Sequence, residues 1–385
     1  MTSLNLSQKK SVFAWKSTFF CCMAFGWDCF SIFVANKRAM IKEIAIQNFK
    51  SIVDLKLPLG RFNLFIGANG SGKSNILEAI AFGAAASSDK LDFEYFANRG
   101  IRVVEPRFML PAFEDAKSER IVVSVLNGQN KPLQFDIQYN RNAKPSRWEN
   151  LNTYIDEKGF RITPSNSEMN QFLIYSLEES KLRKADDSNR TFPLGLHGEG
   201  LFAYLKALAQ RPDSMGIFHE IKENLKVLDW FDDMQVPSEQ LSNEFNLKLK
   251  DSYLADTINT FDQRSTNEGF LYLLFYLTLI ISDETPTFFA IENIDTAFNP
   301  KLCREVTKRL IELAKKHDKQ IIATTHNASV LDGMNLDEED VYLHVVRRSI
   351  DGYTKTNRVE LKQELGMPLS EAWQKGFLGG LPDNF

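Results

Sequence analysis

Cysteine is scarce in this chain: four residues in all, with Cys21, Cys22 and Cys29 near the N-terminus and Cys303 alone in the rest. That excludes a disulfide scaffold and predicts a reducing, cytoplasmic setting. No CxxC pair and no Cys/His cluster occurs, so no structural metal site is expected. Charge of one sign is lacking too. With 46 basic and 50 acidic residues the net charge is −4, and any contact with nucleic acid has to come from a local patch. Repeats and low-complexity tracts are absent. A 43 % hydrophobic and 25 % charged composition excludes disorder as an overall description. A clean membrane-spanning run is missing as well. The stretch 17–35 carries Trp27-Asp28 at its centre, and an Asp at mid-bilayer costs about 2.5–3.5 kcal/mol. It also lacks an A-x-A cleavage pattern, which speaks against a secretory leader. The apolar run FLYLLFYLTLII is short and flanked by charge, and is expected as a buried core helix. No membrane partner is expected. Phe, in contrast, is abundant at 30 residues and supplies mass for a large core.

Met40 opens MIKEIAIQNFKSI, an alternating pattern that predicts a first strand, so residues 1–39 are expected to be an upstream extension outside the fold. Asp54–Pro58 is expected to pair with it. Phe62–Ile66 is a continuous apolar run that predicts a buried strand, and Ser74–Ala86 is helical in composition. Arg120–Leu126 and Leu133–Tyr139, separated by a turn, predict an antiparallel flank. Trp148–Asn170 shows no clear period, and Gln171–Tyr175 is expected as a further strand. From Glu199 to Leu254 the pattern predicts helices. Phe288–Ile291 and Gln320–Thr324 predict buried strands around an amphipathic helix at Lys301–Lys316. Val341–Arg347 and Tyr353–Val359 predict a closing hairpin. The fold class is α/β, in four segments: the extension 1–39, a first half at 40–165, a mainly helical insertion at 166–260 and a second half at 261–385.

One motif carries chemistry by itself. Gly67-Ala68-Asn69-Gly70-Ser71-Gly72-Lys73-Ser74 matches G-x-x-x-x-G-K-[ST] in full, after a predicted strand and before a predicted helix. The glycines let backbone N–H groups turn toward phosphates, and the helix N-terminus adds partial positive charge. Lys73 is expected on the β- and γ-phosphates and Ser74 on Mg²⁺, with Asn75 beginning the cradle's helix. The metal calls for a second acid at the end of a buried strand. Phe288-Phe289-Ala290-Ile291-Glu292 supplies it, more than two hundred residues downstream, so an insertion splits the nucleotide lobe.

The stretches FKSIVDLKLPLGRFNLFIGANGSGKSNILEAIAF, FFAIENIDTAFNP and IIATTHN resemble the AAA-type ABC-class ATPases of the OLD and SMC kind, found in bacterial phage-defence and DNA-repair systems. The resemblance spans roughly 40–110 and 260–350. It implies a P-loop NTPase of ABC/SMC type, with a mixed central sheet, an antiparallel β flank and a helical insertion. It further implies ATP and Mg²⁺ as cofactors. Aligned on Pro300, Glu292 takes the Walker B aspartate's place and Asn293 that of the catalytic glutamate. His326 matches the switch histidine that senses the γ-phosphate. Asp295 is the nearest spare carboxylate, either a substitute for the missing glutamate or a loop and capping acid.

The signature that would face a partner's γ-phosphate is degenerate. Its place holds Ser265, Thr266, Asn267, Glu268 and Gly269, of which Thr266 or Ser265 would supply a hydroxyl, and the same residues suit a helix N-cap. No Q-loop glutamine stands out; Gln134 and Gln138 are candidates, and Arg99 has no assigned role. The resemblance implies a homodimer or a higher assembly of dimers. The stretch after His326 leaves no room for the nuclease of OLD proteins, so an effector such as a nuclease is expected on another chain. The expected function is a slowly hydrolysing ATP-dependent switch subunit, with a repair ATPase that binds duplex DNA as the alternative. Lys301, Arg304, Lys308 and Lys315, together with Arg347-Arg348, offer basic residues for DNA; a solvated helix face balanced by Glu305 and Glu312 is the favoured account of them.

Overall fold

The computed structural model describes residues 40–381, apart from 103, 116–117, 128–131, 153, 156–160, 163–164, 185–192, 237–246, 256–259 and 361–365. The expected extension 1–39 lies outside the described residues. In chain order the strands are Ile41–Phe49 (β1), Ile52–Pro58 (β2), Phe62–Ile66 (β3), Arg120–Asn127 (β4), Leu133–Asn140 (β5), Arg147–Asn150 (β6), Tyr154–Ile155 (β7), Arg161–Ile162 (β8), Ile174–Tyr175 (β9), Phe231–Gln235 (β10), Lys248–Asp251 (β11), Thr260–Asp262 (β12), Phe288–Ile291 (β13), Gln320–Thr324 (β14), Val341–Arg348 (β15) and Thr354–Arg358 (β16). The helices are Lys73–Ser87 (α1), Phe93–Ala97 (α2), Ser167–Asn170 (α3), Glu179–Leu182 (α4), Leu201–Leu208 (α5), Ser214–Leu225 (α6), Glu268–Ile281 (α7), Pro300–Lys316 (α8) and Leu369–Gln374 (α9).

β3, β13 and β14 read as continuous apolar runs because both their faces are covered. They lie in a six-stranded sheet of order β16-β15-β3-β14-β13-β9, parallel throughout except for the antiparallel edge strand β16. Side chains alternate between two cores. Phe62, Leu64, Ile66, Phe289, Ile291, Ile321 and Ala323 join the core built on α5 to α8. Phe65, Phe288, Ala290 and Ile322 join the other, built on α1 and the antiparallel sheet. That second sheet has the order β2-β1-β4-β5-β6, with alternation of buried and outward residues along β1 and β4. Helix α7 is buried from Gly269 through Ile281; an apolar surface all round requires that placement. Among the described residues, no helix is long and apolar enough to cross a membrane.

Two expectations need correction. The helical pattern over 199–254 ends at Leu225; β10 and β11 follow and pair with β12 in a three-stranded antiparallel sheet. Phe231 and Met234 face inward while Asp232 and Asp233 form ion pairs with Lys250 and Lys222. The register shift between Phe231 and Asp233 breaks the strict alternation that marks a strand in sequence. The strand expected at Gln171–Tyr175 shortens to Ile174 and Tyr175, an edge strand of the central sheet in register with Ala290 and Ile291.

Candidate functional site

β3 runs into the glycine loop and α1 begins at Lys73. Gly67 and Gly72 hold φ of 145° and 108°, a region closed to most side chains. A Cβ on Gly67 would stand 2.1 Å from the Val346 carbonyl oxygen, so this turn admits only glycine. Lys73 Nζ donates to the carbonyls of Gly67 at 2.7 Å and Ala68 at 3.1 Å. Burial lowers its pKa to about 8, partly offset by the Glu292 carboxylate. The ammonium thus lies folded on its own loop, where a phosphate would compete for it.

Ser74 Oγ donates to Glu292 Oε1 at 2.6 Å, so the hydroxyl and the carboxylate expected on Mg²⁺ stand side by side. Among the described residues no group of three or more His, Cys, Asp or Glu converges on one point. A hydroxyl and one carboxylate, completed by phosphate oxygens and water, suit Mg²⁺. These residues fit the ion, which when bound would screen phosphate charge. Glu292 is held by its strand: its N–H donates to the Tyr175 carbonyl of β9 at 2.8 Å.

Asn293 follows with φ of 51°, the left-handed region that Asn tolerates best among residues bearing a Cβ. Its N–H donates to Thr324 Oγ1 at 3.0 Å, and its carbonyl accepts from the Thr296 hydroxyl at 2.9 Å. A cavity of 320 Å³ is lined by Asn69 through Asn75, Arg102, Glu292, Asn293, Thr324, His326 and Arg348. The P-loop, Glu292, Asn293 and His326 therefore line one cavity. Burial and the nearby Lys73 ammonium hold His326 below its ordinary pKa against the opposing pull of Asp295, so the imidazole is neutral at pH 7.

Asp295 does not line this cavity; its Oδ1 accepts from the Thr325 hydroxyl at 2.7 Å. Thr266 to Gly269 are likewise elsewhere. Asn267 caps α7 by accepting from the Phe270 N–H at 2.8 Å. Asn267, Glu268 and Gly269 line a separate 520 Å³ cavity with Trp230, Ala297 and Lys301. The hydroxyl of Thr266 is buried without a hydrogen-bond partner among the described residues. Gln134 and Gln138 are overturned as Q-loop candidates. Both lie on β5 in the antiparallel sheet, bonded to Asp136 and Glu119, and neither lines the cavity; the Walker B strand is flanked by β9 and β14. Arg99 is structural: buried, it donates to the carbonyls of Phe172 and Asn170, both at 2.7 Å.

Three cavity residues escaped the sequence reading: Arg102, Thr324 and Arg348. Glu78 offered a signal for the first. It is a lone carboxylate within the apolar helix α1, 2 % exposed, and it forms ion pairs with both Arg102 and Lys50. A buried carboxylate of that kind demands cations. Arg348 was grouped with Arg347 as a basic pair offered to DNA; it is exposed, and its Nε donates to the Gly70 carbonyl at 3.0 Å.

Comparison with known proteins agrees with this geometry. Over 84 % of its length the chain superposes, with a TM-score of 0.55 and 18 % identity, on 98 % of an SMC head solved bound to the C-winged helix domain of ScpA. The fold is thus that of an SMC-type P-loop head. Among curated proteins, the DNA replication and repair protein RecF of Bacteroides thetaiotaomicron is 26 % identical over 48 % of this chain and 47 % of its own length. The Septu protein PtuA of Bacillus mycoides is 21 % identical over 77 % of this chain and 40 % of its own length. The chain spans less than half the length of the curated relatives it matches. The sequence family described as "AAA domain, putative AbiEii toxin, Type IV TA system" matches residues 62–332. Because that span runs from β3 past His326, takes in both halves of the nucleotide cavity and covers more than two thirds of the chain, the chain belongs to this family as a P-loop ATPase of ABC/SMC type.

Proposed function

We propose that this protein is an ATP-binding switch subunit that hydrolyses ATP slowly and acts through a separate effector protein. The observation that carries the reading is Asn293: the cavity brings the P-loop, Ser74 and Glu292 together, but with an amide where the resemblance implies a carboxylate. An amide orients water by hydrogen bonding but accepts no proton at neutral pH, and a positioned general base contributes about 10²–10⁴-fold to rate. Slow hydrolysis suits a latch that stays closed on ATP until triggered. Asp295 is a poor substitute base while its carboxylate is occupied by Thr325.

The active site is shared between two copies in this reading, since Asn267 to Gly269 and the P-loop line different cavities of one chain and each needs a counterpart. A role in defence against phage is supported by the family's description as a toxin–antitoxin component and by the PtuA match across most of the chain. Work with a second protein is supported by the SMC head, which was solved bound to another chain. Steady-state ATPase assays with Mg²⁺ test the core of the reading. Turnover below about one per second is expected, against a median near 10 s⁻¹ for enzymes at large; fast turnover in the isolated protein would overturn the latch.

A repair ATPase that binds duplex DNA directly is the second reading, favoured by the RecF match and by Lys301, Arg304 and Lys308, exposed at helical spacing on α8. Titration with long duplex separates the two: steep salt dependence supports repair, and no binding supports the switch.

A further inference from the structure

The β15–β16 hairpin reaches the phosphate loop from the side away from β14, and none of the site residues named so far explains why. Thr354, the first residue of β16, is fully buried. Its Oγ1 donates to the Ser71 carbonyl at 3.1 Å. The same oxygen lies 2.7 Å from Ser51 Oγ. Asn75 Nδ2 donates to Ser51 Oγ at 2.6 Å. A hydroxyl has one proton to give, and that of Thr354 goes to Ser71. Ser51 must therefore donate to Thr354, and the protons run one way: Asn75 amide, Ser51 hydroxyl, Thr354 hydroxyl, Ser71 carbonyl. Each hydroxyl accepts one bond and gives one, the arrangement in which hydrogen bonds polarise and strengthen one another. Thr354 is itself fixed by its backbone, whose N–H donates to the Ser51 carbonyl at 2.8 Å.

Ser71 is where such a bond has leverage. Across a trans peptide the C=O and the next N–H point in opposite directions. With the Ser71 carbonyl pinned outward to Thr354, the Gly72 N–H is turned the other way, toward the cavity. Gly72 packs so closely on Thr354 that a Cβ there would stand 2.1 Å from Thr354 Oγ1. Arg348 Nε holds the preceding carbonyl, Gly70, at 3.0 Å, so the hairpin grips two consecutive loop carbonyls.

We propose that Thr354 is a positioning residue for nucleotide binding: through Ser51 and Asn75 it forms a relay that holds the Ser71–Gly72 peptide with its N–H toward the phosphates. The proposal rests on the nucleotide reading of the glycine loop and adds a residue more than two hundred and eighty positions downstream that sets the loop's geometry.

The test compares Thr354→Val, which keeps the shape and removes the hydroxyl, with Thr354→Ser, which keeps the hydroxyl. Kd for ATP and for ADP is measured by calorimetric titration with Mg²⁺, and KM and kcat by steady-state assay. Thr354→Val is expected to weaken ATP and ADP alike, about five- to tenfold, because the loop N–H groups face phosphates that both nucleotides carry. The loss is expected in KM, and Thr354→Ser is expected within twofold of the wild type. Affinities within twofold for Thr354→Val overturn the relay, as does a loss that Thr354→Ser shares, which would make the effect one of packing. If Thr354→Val does not fold, Ser51→Ala breaks the relay one bond earlier, and an unchanged affinity there overturns it equally. Lys73→Ala is measured beside them. Retained affinity in Lys73→Ala sinks the nucleotide reading itself, whereas loss in Lys73→Ala with none in Thr354→Val sinks only the relay.

Discussion

Lys73 supplies the mobile cation of the loop, and its protonation governs what the cradle can hold. Lys73→Ala removes charge-assisted hydrogen bonds worth about 1.5–3 kcal/mol each, so ATP affinity is expected to fall at least about tenfold; an unchanged Kd in calorimetry would remove the basis of the site. The ammonium is the form that binds phosphate, and burial sets its pKa at about 8 in place of 10.5. Below that pH the empty cradle is charged; above it the amine turns neutral, and initial binding weakens. Affinity is therefore expected to decline between about pH 7 and pH 9, a range in which an ordinary lysine stays charged. A flat profile across that range contradicts the shift. Asn293 yields the second residue-scale prediction. Asp shares the tolerance of Asn for left-handed backbone and adds a carboxylate, so Asn293→Asp is expected to raise turnover at least about tenfold. Asn293→Glu adds the same charge at a backbone strain of about 1–2 kcal/mol, and should show a smaller gain and a lower melting temperature. Unchanged turnover in both would mean that water is positioned by another group. The place of Lys73 in the glycine loop was legible from its motif, and that of Asn293 after the buried strand came from the family resemblance. The φ of Asn293 and the Thr325 bond of Asp295 were legible from neither, because both depend on how the loop after β13 folds against β14.

Helix α7 is buried at every residue after Glu268, and its C-terminus has a dedicated cation. Lys319 is 1 % exposed and its Nζ donates to the carbonyls of Ser282 at 2.8 Å, Thr285 at 3.0 Å and Pro286 at 3.3 Å, and to Thr285 Oγ1 at 2.8 Å. A cation at a helix C-terminus meets both the unsatisfied carbonyls and the helix dipole. Lys319→Met keeps the apolar stem and strips the charge, leaving buried acceptors unpaired. A loss of about 2–4 kcal/mol is expected, visible as a lower urea midpoint; a midpoint within error of the wild type would show that water replaces the ammonium. The helix itself was legible, since a twelve-residue run broken only by Thr278 leaves a buried element as its placement. Lys319 was not, since a lysine beside a buried strand looks like any surface cation until the loop 282–286 closes over it. β10 and β11 were illegible for a related reason: they are short and charge-rich, and become strands by pairing with each other and with β12.

At the scale of the whole molecule the cavity of one chain is half of the proposed machine. If the active site is shared, an equal mixture of Lys73→Ala chains with Gly269→Asp chains is expected to recover up to about a quarter of wild-type turnover, while each variant alone stays inactive. Mixed dimers keep one intact P-loop opposite one intact α7 N-terminus, whose N–H groups favour an anion. No recovery, or a monomer in sedimentation with ATP and Mg²⁺, would count against sharing. The amino-acid sequence by itself determined what local rules can write: the glycine loop between strand and helix, the buried strands that read as unbroken apolar runs, the helix α7, and Glu292 at the end of its strand. Each of these depends on neighbours within one element, and a period or a motif records it. Tertiary structure alone decided what depends on distant partners. It brought β9 to the edge of the Walker B strand, sent Arg102 and Arg348 to the nucleotide cavity and took Gln134 and Gln138 away from it. It also closed the relay from Asn75 through Ser51 and Thr354 to Ser71. Hydrogen bonds and ion pairs between segments hundreds of residues apart leave no periodic trace, because nothing along the chain has to repeat for them to form.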